Sequence, residues 1–529
     1  MTKLNRRNFL KGGICLGAVA GVSSVVDASQ RRPRFKKHKH TNKTAVVIGS
    51  GFGGSVAALR LCEAGIPTIL LERGKDWTYF GEDTFPTIAD SADDGRTTWL
   101  GTLDAFTLQK KVPLYTGLME RIYGNNIGVV CAAGLGGGSL VYGGVLLQPT
   151  QSAFEQVFPY LDYNQMNEVY YPKVLAKISG GSIPDDILNT NNYRAMSAFK
   201  QDAEAAGLDV SATEVGFDWN IIRKEIKGKR NAAASVGEYI YGCNSNAKNT
   251  LDKNYLKAAM QTGKLQILTL HNVVQINQAD DGQYHIQCEV LTTGGDVIKL
   301  HDIKSQYLFL AAGSMNTTKL LLNAKQSGDL PELNEYIGQY WGNNGDELTM
   351  TVAGSSDIGS LQGGPAAMAA HDNSNPIKPV TFMHSPTTGF GEVQFQLGMS
   401  APDKLGSLSY NASEDQIFVN WPTDALTQSH SAYTHSLQNI AAQSNAVVVQ
   451  NPSLAYTSWH ACGGAVMGKA CSYFGEVDGY QNLYVVDSAL LPGSAGMSNP
   501  ALTVAANAER IMEKILPRLV AECRGRHNP

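Results

Sequence analysis

The sequence predicts an α/β protein in which a Rossmann-like dinucleotide-binding domain is combined with a second domain of sheet and helix. Two stretches predict the first domain, 44–72 and 307–322, because each has an apolar run, a glycine turn and a helical segment in that order. The stretch 350–458 alternates short apolar runs with loops and predicts the sheet of the second domain. At 529 residues the chain exceeds one simple core, so we expect two domains.

We expect these domains to be interleaved along the chain, because the second glycine-turn unit returns the chain to the first sheet. The region 152–207 is predicted to be largely helical and to begin the second domain. The predicted segments are a leader and basic linker at 1–41, dinucleotide-binding segments at 42–150, 235–330 and 459–520, substrate-binding segments at 151–234 and 331–458, and a tail at 521–529.

The first residues resemble an export signal. Arg6 and Arg7 lie in NRRNFLK, which has the pattern of a twin-arginine motif, and a mildly apolar run at 12–26 and an A-x-A-like site at 26–28 follow. This run is too short and too rich in glycine to span a bilayer. We therefore expect export by the twin-arginine route, to the periplasm or the medium; a disordered basic tail is the alternative. The basic stretch 31–40 is expected to be a solvated linker.

The turn GSGFGG at 49–54 is the strongest indication of a dinucleotide site. Gly49 permits a sharp exit from the strand, Gly51 lets the backbone approach a pyrophosphate, and Gly54 lets the helix pack against the strand. The phosphates would then lie at the positive end of the helix dipole. Glu72 follows about twenty residues later, placed to accept hydrogen bonds from a ribose 2′-OH. An ordinary glycine-rich turn would explain the glycines but not Glu72.

A second glycine-rich stretch, GLGGGSLVYGG at 134–144, predicts further contact with the same cofactor. So many glycines do not suit the interior of a helix or strand, but they suit backbone lying against a flat ring system and a pyrophosphate. A flexible linker is the alternative, and the apolar residues within the stretch argue against it. The preceding segment 73–104 has little periodicity and is predicted to be a long functional loop over the cofactor region.

The polar turn GNNGD at 342–346 has two interpretations that the sequence leaves open. It either brings the backbone close to a ligand or forms a plain surface turn. The strand-rich stretch 350–458 that follows suits the wall of a substrate cavity and contains one predicted helix near 432–444.

The C-terminal region carries the candidate catalytic groups. His460 precedes the sequence Ala-Cys-Gly-Gly, and the predicted strand 482–487 ends on Asp487. Asn499 and Pro500 immediately precede a predicted helix, whose N-terminus would direct its positive dipole at a bound ring. A lone histidine is more often structural, and Asn499 could simply cap the helix. The position of both residues beside glycine turns favours a catalytic role.

Composition excludes some classes of function. A hydrophobic content of 43% and a charged content of 17% are ordinary for a globular protein, and a formal charge of −4 indicates no nucleic-acid partner. The 54 glycines are more than an ordinary globular composition has, and they predict many places where backbone segments approach closely. None of the eight cysteines forms a CxxC and no Cys/His spacing suggests a metal, so we expect no metal site and mostly free thiols. Pairing of Cys462 with Cys471 stays open.

Taken together, the stretches GSGFGG, GLGGGS, YLFLAAGS, WHACGG and NLYVVDSALLPGSAGMSNPALTVAANAER resemble, in order, those of the glucose–methanol–choline family of flavoproteins, over nearly the whole chain after the leader. Within that family the chain most resembles the bacterial cholesterol oxidases with non-covalently bound FAD. The pair His460 and Asn499, the stretch TLDK at 250–253 and the WGNNG turn carry this closer resemblance. The resemblance implies an FAD cofactor, a sterol substrate, molecular oxygen as acceptor, transient contact with a lipid membrane and a monomeric enzyme.

The family's mechanism implies roles for three residues of this chain. His460 would hydrogen-bond the substrate hydroxyl and hold it at the flavin, and Asn499 would contact both the substrate oxygen and the flavin ring. Glu392, in GFGEV, would be the base that moves a proton from C4 to C6 and converts the Δ5 ketone to the Δ4 ketone, gaining basicity in an apolar pocket. The expected cofactor-binding residues are Gly49, Gly51, Phe52, Gly53, Gly54, Glu72, Gly134, Gly136, Gly137, Gly138, Ser139, Tyr142, Gly143, Val273, Gly313, Asp487, Asn499 and Pro500.

Three departures from the family pattern bear on steroid specificity rather than on the fold. The usual His-Pro-Leu-Gly-Gly is His-Ala-Cys-Gly-Gly here, Tyr142 stands where an asparagine is usual, and Ser498 is a one-residue insertion before Asn499. Two other functions stay open. One is a family member that oxidises another bulky alcohol or uses another acceptor. The other is a non-catalytic flavin-binding or sterol-binding protein, which has no need of the pair His460 and Asn499.

Overall fold

The described part of the chain is built on three β-sheets; it comprises residues 38–88, 94–104, 111–389, 391–450 and 457–525 of a computed structural model. All of these residues belong to one compact unit, Lys36–Pro529. The predicted export motif and its cleavage site lie outside them. Among the helices in these ranges, none combines the length and the apolar character that a bilayer crossing requires.

The predicted helical region 152–207 and the predicted helix near 432–444 are confirmed, the first by a series of helices between residues 151 and 205 and the second by a helix at 427–443. The strands are β1 (His38–Ile48), β2 (Thr68–Leu71), β3 (Met119–Gly124), β4 (Ile127–Ala132), β5 (Asp209–Ala212), β6 (Leu265–Leu268), β7 (His271–Gln278), β8 (Tyr284–Leu291), β9 (Val297–Leu310), β10 (Asp346–Val352), β11 (Met368–Asp372), β12 (Val380–His384), β13 (Val393–Met399), β14 (Ser407–Asn411), β15 (Gln416–Asn420), β16 (Val447–Val449), β17 (Thr457–Ser458) and β18 (Leu483–Val485). The helices are α1 (Phe52–Glu63), α2 (Gln151–Val157), α3 (Tyr163–Gln165), α4 (Tyr171–Ile178), α5 (Asp185–Leu188), α6 (Arg194–Ala205), α7 (Trp219–Ile226), α8 (Tyr255–Gln261), α9 (Gly313–Ser327), α10 (Thr427–Gln443) and α11 (Pro500–Gly525).

The first sheet confirms the predicted Rossmann-like α/β class. Its strand order is β6-β2-β1-β9-β8-β7, and β18 also pairs with β9. β1 is parallel to β2 and β9, β2 to β6, and β9 to β18. The apolar residues of β1 and β2 are almost entirely buried, as expected for parallel strands covered on both faces. This sheet is therefore assembled from segments that are far apart in the chain.

β1 begins at His38, earlier than the apolar run at 45–48 predicts. Its first residues pair with the region around residues 301–305 of the long strand β9. Part of the basic stretch 31–40 therefore belongs to the sheet, and its prediction as a solvated linker is wrong at this end. The residues at 38–43, HKHTNK, are polar, so they have no apolar periodicity from which a strand could be predicted.

The second sheet, with the order β16-β10-β13-β12-β11-β5, is antiparallel and comes mostly from the predicted strand-rich region. One face of its central strands is apolar, and Tyr433 of α10 packs on the other face, against Gly398. We call the apolar face the apolar wall; it consists of the cross-strand pairs Leu348 with Leu397, Met350 with Phe395, and Val352 with Val393. The third sheet is β14-β15-β3-β4-β17, and its hairpin of β3 and β4 leads into the second glycine-rich stretch.

A buried carboxylate joins the helices that cover the first sheet. Glu509 of α11 has a fully buried side chain and accepts two hydrogen bonds from Arg60 of α1, at 2.6 and 2.7 Å. Lys173 of α4 lies 3.0 Å from it, and the Tyr255 hydroxyl of α8 donates to it at 3.0 Å. Burial alone would raise the pKa of Glu509, but the hydrogen bonds and charges of Arg60 and Lys173 outweigh burial and hold it below its ordinary value.

Replacement of Glu509 by alanine is expected to lower the free energy of unfolding by about 3 kcal/mol, because it leaves the partly buried Arg60 without its main counter-charge. Urea unfolding of the purified protein measures this loss. The folded-state pKa of Glu509 lies below its unfolded value, so its contribution is present above the ordinary carboxyl pKa of 4.5 and is lost as the pH falls below it. The difference between variant and wild type should therefore shrink in acid.

The matched control is Glu63→Ala, because Glu63 is half-exposed and contacts the same Arg60 at 2.6 Å. Loss of an exposed partner should cost less than about 1 kcal/mol. Equal losses in the two variants would contradict a structural role for the buried site.

Candidate active site

The first glycine turn lies where the carboxyl ends of β1, β9 and β18 meet. Gly49 has a φ of 98°, which confirms the sharp exit from β1. A Cβ on Gly53 would lie 1.9 Å from the carbonyl oxygen of Val486, and one on Gly54 would lie 2.0 Å from that of Gly49. These glycines are required because backbone of neighbouring strands occupies the space of a side chain. The predicted close packing of α1 on the strand through Gly54 is thus confirmed.

Gly51 differs from its neighbours, because a Cβ there would meet no atom within 4 Å. It is the N-cap residue of α1, and no side chain caps the helix at this end. The first N–H groups of a helix need acceptors from outside the helix, and an anion at such an end is favoured by the helix dipole. The open space and the uncapped helix, which begins at Phe52, fit a bound pyrophosphate.

Glu72 connects the two glycine-rich stretches. Its carboxylate accepts hydrogen bonds from the Ser50 N–H at 3.2 Å and hydroxyl at 2.6 Å, from the Gly74 N–H at 2.8 Å and from the Gly134 N–H at 3.3 Å. This joining role was not anticipated from the sequence, since it depends on a contact between residues far apart in the chain. Acceptance of a ribose hydroxyl by Glu72 stays a prediction.

The second glycine-rich stretch packs directly on the first turn. The Gly136 N–H donates to the Ser50 hydroxyl at 3.0 Å, and a Cβ on Gly137 would lie 2.6 Å from the Gly51 Cα. Ser139 accepts from the Leu251 N–H, in the TLDK stretch, at 3.0 Å. These contacts contradict a flexible linker. The predicted set Gly134, Gly136, Gly137, Gly138 and Ser139 therefore adjoins the first turn.

The loop after Glu72 covers this stretch, as predicted for its described part. The Leu135 N–H donates to the Lys75 carbonyl at 3.0 Å, and Trp77 packs with Leu140. Tyr142 meets the ring of Phe52 edge-on at 5.6 Å, and burial raises the pKa of the Tyr142 phenol, which keeps it neutral. Gly143 follows it in the chain.

Gly313 and Asp487 meet at the carboxyl ends of β9 and β18. The Gly313 N–H donates to Asp487 at 2.8 Å, and the Thr317 hydroxyl donates to it at 2.5 Å. Burial raises the pKa of Asp487 to about 6, against the opposing effect of these hydrogen bonds. Val273 lies on β7, two residues beyond His271, whose N–H bonds the Glu72 carbonyl at 3.0 Å. Its contact with a cofactor stays a prediction.

His460 and Asn499 are brought together as predicted. His460 Nε2 lies 3.4 Å from Asn499 Nδ2, and Pro500 begins α11 directly after Asn499. The Asn499 Oδ1 is buried and has no hydrogen-bond partner among the described residues. It therefore does not cap α11, which excludes that alternative, and a buried unpartnered acceptor fits a site that a bound molecule completes.

The backbone near His460 is hydrogen-bonded to residues that lie next to Gly313 and Asp487. The Gly463 N–H donates to the Ser488 carbonyl at 2.9 Å, and the Ser314 hydroxyl donates to the Gly463 carbonyl at 2.7 Å. Ser488 and Ser314 adjoin Asp487 and Gly313 in the chain. The candidate catalytic pair therefore lies next to the glycine turns. Cys462 is fully buried and is a free thiol, as is Cys471, so no disulfide joins them.

The turn at 342–346 supplies Asp346, a residue of the candidate site that was not predicted from the sequence. The two oxygens of Asp346 lie 2.9 and 2.8 Å from His460 Nδ1. Asn344, in the left-handed region with a φ of 66°, is fully buried; it donates to Asp346 at 3.2 Å and to the Ser498 carbonyl at 3.0 Å. The plain surface turn is therefore wrong. The sequence feature that could have indicated Asp346 is an acid directly before an apolar strand. An aspartate after Asn-Asn-Gly is, however, also an ordinary turn residue.

Glu392 does not lie in an apolar pocket. It directly precedes β13, and its side chain is exposed. The expectation of an apolar pocket around Glu392 is therefore wrong, because burial begins only with the next residue, Val393. Val393, its neighbour, packs with Leu348 and Trp459 at the apolar wall. The role of Glu392 as a base stays a prediction.

Comparisons with known proteins agree with this geometry. Two family models, both described as GMC oxidoreductase, match residues 20–329 and 414–508. Cholesterol oxidases of two Mycobacterium tuberculosis strains, CDC 1551 / Oshkosh and H37Rv, are 24% identical over 88% of this chain and 89% of their own. A cholesterol oxidase of Acinetobacter baumannii is 24% identical over 89% of this chain and 94% of its own.

Two solved structures share the fold. A pyridoxine 4-oxidase from Mesorbium loti has a TM-score of 0.57 at 16% identity, covering 89% of this chain and 99% of that one. A fungal aryl-alcohol oxidase has a TM-score of 0.60 at 13% identity, covering 90% and 99%. The first family model alone spans more than half of the chain. This protein belongs to the GMC oxidoreductase family, is an oxidoreductase that acts on alcohols, and is similar to cholesterol oxidases within that family.

Proposed function

We propose that this protein is an FAD-dependent sterol oxidase. It oxidises the 3β-hydroxyl of a cholesterol-like steroid to the ketone with O2 as acceptor, releases H2O2, and isomerises the Δ5 product to the Δ4 ketone. The observation that carries the proposal is the pair His460 and Asn499, with facing nitrogens 3.4 Å apart, between the glycine turns and the apolar wall. A protein that only binds flavin or sterol has no need of such a pair.

The residues present fit FAD. The open space over Gly51, the uncapped N-terminus of α1 and the unpartnered Oδ1 of Asn499 are features that a bound dinucleotide would complete. When bound, FAD supplies the acceptor for the hydride of the alcohol carbon and the route by which that electron pair reaches O2.

The polar pair handles the alcohol. The substrate hydroxyl is proposed to lie between His460 Nε2 and the side chain of Asn499. As the C–H bond breaks, the hydroxyl proton passes to Nε2 and the C=O bond forms, so that no charge is left on the product oxygen. Asn499 is neutral and orients the oxygen through hydrogen bonding alone.

The apolar wall supports a bulky, rigid substrate. It runs from Leu348 to Val352 along β10, roughly 13 Å at about 3.3 Å per residue, and Trp459 packs against it immediately beside His460. Burial of apolar surface contributes about 25 cal/mol per Å² to binding, so a substrate that covers the wall gains more than a short alcohol. The similarity to cholesterol oxidases over most of the chain supports a sterol.

Export and membrane contact are part of the same proposal. The twin-arginine pattern at Arg6 and Arg7 supports export of a folded flavoprotein. Phe80 is 75% exposed and lies in the loop that covers the second glycine-rich stretch, and we propose that this loop makes the transient contact with the lipid surface from which sterol is taken.

The purified protein is predicted to show a visible flavin spectrum. Anaerobic cholesterol should bleach the flavin band, and admission of air should restore it while H2O2 appears. In His460→Ala the band should be present but bleach on the order of 100-fold more slowly, since the proton acceptor is gone. If cholesterol leaves the band unchanged and another bulky alcohol bleaches it, that alcohol is the substrate. Absence of flavin would overturn the proposal.

Gly51→Ala is predicted to fold normally and to bind FAD at least about tenfold more weakly, a loss of about 1.4 kcal/mol. Its Cβ meets no protein atom, so only the bound dinucleotide would be obstructed. Thermal unfolding of the apoprotein and titration with FAD measure the two effects separately. In Gly53→Ala, by contrast, the apoprotein itself should be destabilised, because its Cβ would lie 1.9 Å from Val486 O. Wild-type FAD affinity in Gly51→Ala would show that the space serves another purpose.

Glu392→Gln is predicted to retain the rate of oxidation within about twofold and to lose isomerisation by on the order of 100-fold. Hydrogen peroxide release and the ultraviolet absorbance of the conjugated ketone report the two steps. Glu414→Gln is the control, because Glu414 is an exposed glutamate in the turn between β14 and β15. Isomerisation at the wild-type rate in Glu392→Gln would remove this residue from the mechanism.

A further inference from the structure

The first two residues of β10 each pair with an imidazole. Asp346 contacts His460, and Glu347 contacts His430 of α10, with Oε1 2.5 Å from Nδ1. Successive residues of a strand face opposite sides of the sheet, so Asp346 shares the face of the apolar wall and Glu347 lies on the face covered by α10. The described part of the chain thus contains two carboxylate–imidazole pairs of similar chemistry, and Asp346 belongs to the one at the candidate active site.

Asp346 is held so that its charge is directed at His460. Its side chain is 1% exposed, and both oxygens lie within 2.9 Å of His460 Nδ1. Oδ1 also accepts from Asn344 Nδ2 at 3.2 Å. Asn344 is itself fixed by the Ala495 N–H, which donates to it at 2.8 Å, and by its own bond to the Ser498 carbonyl. The loop that precedes Asn499 therefore positions Asp346 as well.

This arrangement determines which imidazole nitrogen carries the hydrogen. An ionised carboxylate accepts hydrogen bonds and donates none, so Nδ1 must carry the hydrogen that lies between Asp346 and His460. In a neutral imidazole the other nitrogen, Nε2, is then an acceptor. Asn499 Nδ2, a donor, faces Nε2 at 3.4 Å, which agrees with the same tautomer.

We propose that Asp346 is a positioning residue, which holds His460 in the Nδ1–H tautomer and so makes Nε2 the acceptor of the substrate hydroxyl proton. After proton transfer the imidazolium lies against the Asp346 carboxylate, and the buried pair is neutral overall. This inference rests on the proposed function, because it specifies how the proton of the alcohol leaves. It assigns Asp346 a role through His460 and no contact with substrate.

The turn at 342–346 does not need the carboxylate of Asp346 to keep its conformation. The backbone of Asp346 holds the turn by itself, since its N–H donates to the Asn343 carbonyl at 3.3 Å and its carbonyl accepts from Asn343 Nδ2 at 3.1 Å. Both bonds survive replacement of the side chain. Asp346→Asn also preserves size and shape, so the turn should keep its conformation.

The same substitution should reverse the tautomer. Asn344 Nδ2 donates to Oδ1, so the amide of Asp346→Asn will place its oxygen there and its NH2 group at the position of Oδ2, 2.8 Å from His460 Nδ1. A donor at that place requires Nδ1 to accept, which moves the hydrogen to Nε2. Nε2 then donates to the alcohol and takes no proton from it.

The kinetic test uses the FAD-loaded enzyme. Asp346→Asn should retain flavin content and KM and lose on the order of 100-fold in kcat. The double variant Asp346→Asn/His460→Ala should be no slower than His460→Ala, because a residue that acts only through His460 contributes nothing once the imidazole is absent. Glu347→Gln, on the opposite face of β10, should keep the wild-type kcat. An unchanged kcat in Asp346→Asn, or additive losses in the double variant, would overturn the proposal.

The second test does not depend on turnover. In protein labelled with ¹⁵N-histidine, the signals of His460 are identified by their absence in His460→Ala. They should show hydrogen on Nδ1 in the wild type and on Nε2 in Asp346→Asn. The same tautomer in both would overturn the inference. A wild type that holds flavin but oxidises no sterol would overturn the proposed function instead, and the tautomer comparison would still decide the role of Asp346.

Discussion

The junction of the two glycine-rich turns depends on Glu72. The turns consist largely of glycines, which have no side chain that can accept a hydrogen bond, so some of their backbone N–H groups need an acceptor from another residue. The Glu72 carboxylate meets this need by accepting from Ser50, Gly74 and Gly134. Without this acceptor, buried N–H groups would be unpaired, at a cost of about 1–3 kcal/mol each.

The same principle recurs at two other places in the molecule. Glu509 joins four helices through Arg60, Lys173 and Tyr255, and Asp346 joins the start of β10 to His460. In each case a buried acid connects segments far apart in the chain, and its charge is offset by donors or cations. These acids differ in what they hold: the glycine turns, a layer of helices and the imidazole of His460. Position in the fold, rather than residue type, determines the role.

Sequence patterns predicted the features that depend on neighbouring residues. The turn 49–54, the apolar strand after it and the helical region 152–207 follow from local periodicity and glycine spacing, and the pairing of His460 with Asn499 followed from a family resemblance. The partners of Glu72 and Asp346 could not be predicted, because both are set by contacts across many residues. The exposure of Glu392 and the early start of β1 were missed for a related reason: strand pairing, not local apolar character, decides where a strand begins to bury its residues.

In the proposed function one strand, β10, serves both the chemistry and the substrate contact. Asp346 at its first position contacts the imidazole of His460, and Leu348, Met350 and Val352 on the same face form half of the apolar wall. The hydrogen-bond partners of His460 are Ser458, Cys462, Asp346 and Asn499, and none of these belongs to the apolar wall. In the proposed function, changes at 348–352 can therefore alter which alcohol fits without altering how its proton is removed.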